Sequence, residues 1–208
     1  MTDLFETITA ADRAFCELCA KRGIAGCQCA STVLAKLIAE SAAPAPIARA
    51  RAFAACNLTV LALDLGTTTG WALAPRGGAV RSGSFRLDPA KLGGNGRRWI
   101  AFREWLTATA REAGGVQAVY FERVCSHTGT TAAHVYGGYM AMLEAWCAAN
   151  NIPMHGVAVA TAKKHWTGNG RAKKPEMIAE AERRGIKVID DNHADALAIL
   201  SYGIQQEQ

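Results

Sequence analysis

The chain has 208 residues, half of them hydrophobic, and 23 basic against 18 acidic side chains leave a net charge of +5. That length buries a real core in one domain of ordinary size plus an extension, and the modest excess of base suits a polyanionic partner. No apolar run approaches the ~18 residues of a membrane span and the first twelve residues lack the pattern of a signal peptide, so membrane proteins are excluded and the cytoplasm is the expected compartment.

Thr2 and Asp3 cap an expected helix carrying Leu4, Phe5, Ile8, Phe15 and Leu18 and ending near Gly23; a second starts at Ser31 with Val33, Leu34, Leu37 and Ile38. Ala43, Pro44, Ala45 and Pro46 read as a linker, which places a domain boundary between Pro44 and Asn57 and divides the chain into 1–56 and 57–208. Seven Cys, an odd number, fit reduced thiols rather than a disulfide framework. Four of them, Cys16, Cys19, Cys27 and Cys29, are close enough in sequence to hold one Zn2+, or they are small buried apolar residues; the seven-residue gap is shorter than familiar zinc-finger spacings.

Past the linker, the run 58–63 reads as a buried strand that ends in a carboxylate, Asp64, before a Gly-Thr-Thr-Thr-Gly turn. Burying a carboxylate there costs several kcal/mol or so unless a partner compensates it. Strands follow at 71–74 and 80–85, then a helix over 95–113 with Trp99, Ile100, Phe102, Trp105 and Leu106. The next strand, 116–121, ends in Glu122; a long helix over 131–149, a strand at 155–159 and a helix over 175–184 come after it. A short extended piece at 186–189 runs into Asp190, Asp191, Asn192, His193, Ala194 and Asp195, which open the final helix over 194–204. Three hairpin strands followed by alternating helices and strands predict a mixed five-stranded sheet flanked by helices. Acid groups reach element ends from three separate segments, and oxygen-only ligands gathered in this way suit Mg2+ or Mn2+.

DLGTTTGWAL, then FE at a strand end, then DDNHADALAIL, in that order, resemble the ribonuclease H and retroviral-integrase superfamily, specifically RuvC-like Holliday junction resolvases of phages and bacteria. The resemblance spans about 58–202. A further stretch, Lys163, Gly168, Gly170 and Lys174 as K-x4-G-x-G-x3-K, is similar to the RuvC segment in which two basic residues support cleavage. The resemblance implies a ribonuclease H-like α/β fold and a metal-dependent endonuclease, a crossover junction endodeoxyribonuclease that hydrolyses phosphodiester bonds in branched DNA with two Mg2+ or Mn2+ ions. It implies that Asp64 bridges both ions, that Glu122 helps hold one, and that Asp191 with Asp195 completes the other. The family's fourth ligand is an acid or His three or four positions before the last Asp; Asp191 shares a helix face with Asp195 by its i, i+4 spacing, and His193 serves instead if that turn is irregular. Lys163 and Lys174 are the implied catalytic cations, with Lys164, Arg171 and Lys173 as flanking phosphate contacts. Three residues after Glu122, where resolvases carry an aromatic wedge, this chain has Cys125, which leaves His127 or Tyr136 for that role. The implied partner is a four-way DNA junction gripped by a homodimer, and the stripe Tyr136, Tyr139, Met140, Leu143 and Trp146 belongs to core or to the dimer interface.

Two rival readings remain at this level. A nuclease of the same fold acting on flaps or other replication intermediates, or a YqgF-type RNA-processing enzyme, shares every acid named above. DLGTTTG also resembles the phosphate-binding turn of the sugar kinase, Hsp70 and actin group, but that group needs a second domain and a second phosphate loop, about twice this length.

Overall fold

The computed structural model describes residues 53–54, 56–125 and 129–208. The N-terminal helices, the linker and the four clustered cysteines expected from the sequence lie outside them. Among the described residues no helix is long and apolar enough to cross a membrane.

The chain builds β1 (Val60–Asp64), β2 (Thr69–Ala74), β3 (Arg81–Phe85), α1 (Pro89–Leu92), α2 (Asn95–Glu112), β4 (Ala118–Arg123), α3 (Thr130–Ala149), β5 (Met154–Ala158), α4 (Val159–Thr167), α5 (Lys174–Arg183) and α6 (Asp191–Gln206). The sheet order is β3-β2-β1-β4-β5, with β1, β2 and β3 antiparallel and β1, β4 and β5 parallel. This is the mixed five-stranded, ribonuclease H-like arrangement predicted from the sequence. Every residue of β1 is buried because both faces of the sheet are covered, and its apolar run alternates between two cores. Leu61, Leu63, Trp71 and Leu73 pack under α2 and α3 with Phe102, Trp105, Tyr139 and Leu143. Val60, Ala62, Ala72 and Tyr120 pack under α4, α5 and α6 with Trp166, Met177, Leu197 and Ile204. Residues i and i+2 of a strand share a face, so Asp64 and Glu122 continue the second set and point to the α6 side.

The stripe on α3 is core: Tyr139, Leu143 and Trp146 are buried, and Tyr136 and Met140 pack against them. Three local expectations differ. β4 runs to Arg123 because it pairs with β5 through Glu122↔Val157 and Arg123↔Ala158, so Glu122 sits inside the last turn of pairing rather than after it. No strand forms at 186–189: Gly185 turns the chain at φ +80°, Ile186 drops into the second core, and Ile189 is 71% exposed, with no neighbouring strand to pair with. Finally, α4 follows β5 directly and α6 starts at Asp191, three residues earlier than expected.

Candidate active site

Asp64 ends β1 and lies opposite Gly70 of β2, while Leu63 pairs with Phe121, the residue before Glu122. The parallel pairing of β1 and β4 therefore delivers two carboxyls side by side at one edge of the sheet. The first turn of α6 supplies two more, and Gly70 is what admits it: a Cβ at that position would fall inside the carbonyl of Asn192. The helix backbone thus rests on the strand that faces Asp64, with Asp191 and Asp195 four residues apart on the same side.

Two serines of β3 fix the rotation of that helix. Asp190 is its N-cap: one carboxylate oxygen accepts from the His193 amide at 2.8 Å and the other from the Ser84 hydroxyl at 2.6 Å. The buried His193 ring accepts the Ile189 amide proton on Nδ1 at 3.2 Å, which leaves Nε2–H to donate to Ser82 Oγ at 2.7 Å. Burial pushes its pKa down to about 4, so the imidazole is neutral in this arrangement. Both ring nitrogens are engaged away from the acids; the regular helical turn keeps His193 out of the cluster and brings Asp191 in. Asp190 is a structural cap.

The acids sit close enough to act on one another. Asp64, 8% exposed, is held well above the ordinary carboxylate range, first by burial and then by Glu122, Asp195 and Asp191. It approaches Glu122 closely enough to share a proton with it. Burial and Asp195 raise Glu122, opposed by Lys163. Asp195 is pushed up to about 6 by burial, with Lys163 and Lys174 pulling it down. Asp191 is the exception: its ion pair with Lys174 lowers it.

The two lysines arrive through the glycines between them. Gly168, at φ +82°, ends α4 and donates its amide to the Lys164 carbonyl, and Gly170 passes so close to Ala160 that a Cβ would stand 3.0 Å from its carbonyl oxygen. The chain thereby doubles back, with Lys163 on α4 and Lys174 opening α5. Lys163 Nζ donates to the Ala172 carbonyl at 3.1 Å, and Trp166 Nε1 donates to the Met177 carbonyl at 3.2 Å, tying the two helices together. Lys164, Arg171 and Lys173 are exposed on the outer side of this turn.

One further residue holds the site without having been predicted for it. The Tyr136 hydroxyl donates to the Glu122 carbonyl at 3.0 Å and accepts from the Val124 amide at 3.2 Å, pinning β4 where its pairing ends. Its hydroxyl end is thus committed to the strand. Cys125 is exposed, and His127 lies outside the described residues.

Oxygen-only donors of this kind match a hard divalent ion, and the carboxyls around Asp64 outnumber the one cation, Lys174, that acts on it. Among the described residues no three acid, His or Cys side chains stand at metal-ligating spacing; Asp64 and Glu122 hydrogen-bond each other, and Asp191 pairs with Lys174. The donor chemistry fits a divalent ion once those contacts are exchanged for it.

No protein-family model matches the chain, and no curated protein does. Solved structures do. RuvC of Thermus thermophilus in complex with a Holliday junction substrate superposes with a TM-score of 0.61 over 72% of this chain and 95% of its own, at 19% identity. The chain has the RuvC fold. A second T. thermophilus RuvC structure gives a TM-score of 0.57 over 72% of this chain and 98% of that one, at 20% identity. At these identities the RuvC likeness speaks to architecture, and chemistry has to be argued from the side chains.

Proposed function

We propose that this chain is a divalent-metal-dependent endonuclease that cleaves phosphodiester bonds in branched DNA, with the four-way junction as its substrate. The observation that carries the reading is the seating of α6, with Asp191 and Asp195, against Gly70 opposite Asp64, on a strand paired with the one that carries Glu122, with Lys174 paired to Asp191. Isolated acids would not be gathered and buried at such a cost without a cationic ligand to share. The RuvC fold, and the junction bound by T. thermophilus RuvC, support the choice of substrate.

Asp64 and Glu122 would hold one edge of the metal site, and Asp191 with Asp195 the other. Two divalent ions, when bound, supply Lewis acidity to the attacking water, the scissile phosphate and the leaving 3′ oxygen. Lys174, released from Asp191, and Lys163 would then face the non-bridging phosphate oxygens and stabilise the charge that develops there. Lys164, Arg171 and Lys173 would contact neighbouring phosphates, giving affinity that falls with salt, while branch preference comes from shape rather than from base reading. Residues 57–208 form the nuclease unit, acting in the cytoplasm as a homodimer that sets two sites against the near two-fold symmetry of the junction.

Cleavage of labelled four-way junctions, flaps, linear duplex and structured RNA in Mg2+ tests this. Preferential cutting of the junction is the expected result. Preferential cutting of flaps or of RNA would replace the resolvase reading with a replication-intermediate or YqgF-type one.

A further inference from the structure

The face of the sheet opposite the carboxylates holds a buried cation that forms no ion pair among the described residues; its guanidinium lies 5.5 Å from the centroid of the Trp99 ring. The core-facing stripe of α2 is Arg98, Ala101, Phe102 and Trp105, so an arginine takes the place where helical spacing calls for an apolar residue. Arg98 is only 6% exposed, and its Nε has no hydrogen-bond partner. Tyr139, 0% exposed, faces the same space; its hydroxyl makes no hydrogen bond of good geometry, and Thr69 is a side chain near enough to act on it. Arg98 and Tyr139 are near enough that the guanidinium acts on the phenol, opposing the upward push of burial. Thr69, close by, gives its own hydroxyl proton to the Gly66 carbonyl. No ion pair of the described residues includes Arg98. A water molecule would satisfy the hydrogen bonds but leave the charge uncompensated; an anion satisfies both.

The surroundings fit an anion. The N-cap of α2 is Gly94, which makes no side-chain cap, and the first turn carries no acid, so the positive end of an 18-residue helix is left open. A Cβ at Gly93, Gly94 or Gly96 would meet nothing within 4 Å, so a ligand has room to reach the amides. Long helical side chains lean over the turn N-terminal to their own Cα, which aims Arg98 at that same turn. The helix is oriented by the Arg81–Glu112 pair at 3.1 Å, which ties its C-terminal end to the start of β3. Its N-terminus therefore reaches the end of β3, where Phe85 pairs with Thr69, the residue next to Gly70.

We propose that the first turn of α2, with Arg98, binds a backbone phosphate of the substrate on the opposite side of the sheet edge from the carboxylates. This rests on the nucleic-acid reading above and adds a second anchor for the strand, one that makes no contact with the scissile phosphate. Substrate draped over the edge is gripped on both faces, which fixes the position of the bond to be cut.

The test has two arms on the full chain. In the first, inorganic phosphate is titrated into 15N-labelled protein at constant ionic strength. Saturable shifts are expected at the amides of Asn95, Gly96 and Arg97 and at Arg98 Nε, and Arg98→Gln and Gly96→Asp should abolish them. Gly96→Asp sits in open space and places an acid where the helix dipole favours it, so it keeps the fold and decides the matter if Arg98→Gln does not fold. In the second arm, metal-free junction binding is followed against salt. Gly96→Asp should weaken it about tenfold and lower the log–log salt slope by about 0.9, the loss of one phosphate contact. Shifts that are absent, or that survive both substitutions, would overturn the site; an unchanged slope would overturn its assignment to substrate. Failure of the nuclease reading shows differently, as absent metal-dependent cleavage with the phosphate shifts intact.

Discussion

Asp64 is a carboxyl that burial and its acidic neighbours hold well above the ordinary carboxylate range, and the sign of that effect sets a measurable pH dependence. Its folded pKa and that of Asp195, about 6, lie above the ordinary value of 3.8. Below that ordinary value both folded and unfolded chains keep the proton. As pH rises past it the unfolded chain ionises first, so these two groups withdraw stability, and the loss is complete only above their folded values. His193 works in the opposite direction: with a folded pKa of about 4 against 6.5, it adds stability as pH rises across that window. The clean readout is therefore a difference. In metal-free buffer, Asp64→Asn should match the parent Tm below the ordinary carboxylate value of 3.8 and exceed it increasingly as pH rises from there, by on the order of 5 °C. A difference independent of pH would mean that the carboxyl is not strained.

Lys174 makes the complementary prediction. Its ion pair with Asp191 is exposed and contributes little to folding. Lys174→Ala should thus leave Tm nearly unchanged and junction binding only slightly weaker, while slowing single-turnover cleavage on the order of a hundredfold. An unaltered single-turnover rate would remove Lys174 from the chemistry.

At the scale of elements, the site depends on the seating of α6. Gly70→Ala would drive a methyl into the Asn192 carbonyl, and since backbone rather than a flexible side chain stands in the way, the helix has to shift. The expected cost is about 1–3 kcal/mol, with cleavage lost and the core still cooperative in thermal unfolding. Ser84→Ala removes only one bond to the N-cap and should cost about 1 kcal/mol, with a partial loss of cleavage.

This seating also marks what the sequence reveals and what it hides. The strand ending in Asp64 is legible because a fully apolar run meets a charge and a glycine-rich turn. The i, i+4 choice of Asp191 follows from helical periodicity; in the structure Asp191 stands beside Lys174 and Asp195. The clamp of Ser82 and Ser84 on His193 and Asp190 spans over a hundred residues and leaves no local pattern. α4 is hidden for a different reason: β5 passes into it with no Gly, Pro or polar cap to separate them. The apolar residues at 186–189 mimic a strand, yet burial of Ile186 needs only core contact and not a pairing partner.

For the whole molecule, the start of α6 and the acids of β1 and β4 lie at the same end of the sheet, an arrangement that on the proposed reading would let an extended polyanion meet a positive helix end as well as divalent ions. A junction has two strands to cut in related positions, so light scattering of the free protein should report the mass of two chains, and a monomeric mass with and without junction would contradict the paired arrangement.

The central claim is that Asp64 acts through divalent ions on a phosphodiester, and single-turnover cleavage of a synthetic four-way junction in Mg2+ tests it most directly. Wild-type protein should cut the junction only when Mg2+ is present, and Asp64→Asn should bind the junction as before and cut at less than about a thousandth of the parent rate. Cleavage that persists in Asp64→Asn, or wild-type protein that leaves every branched DNA intact in both Mg2+ and Mn2+, would contradict it.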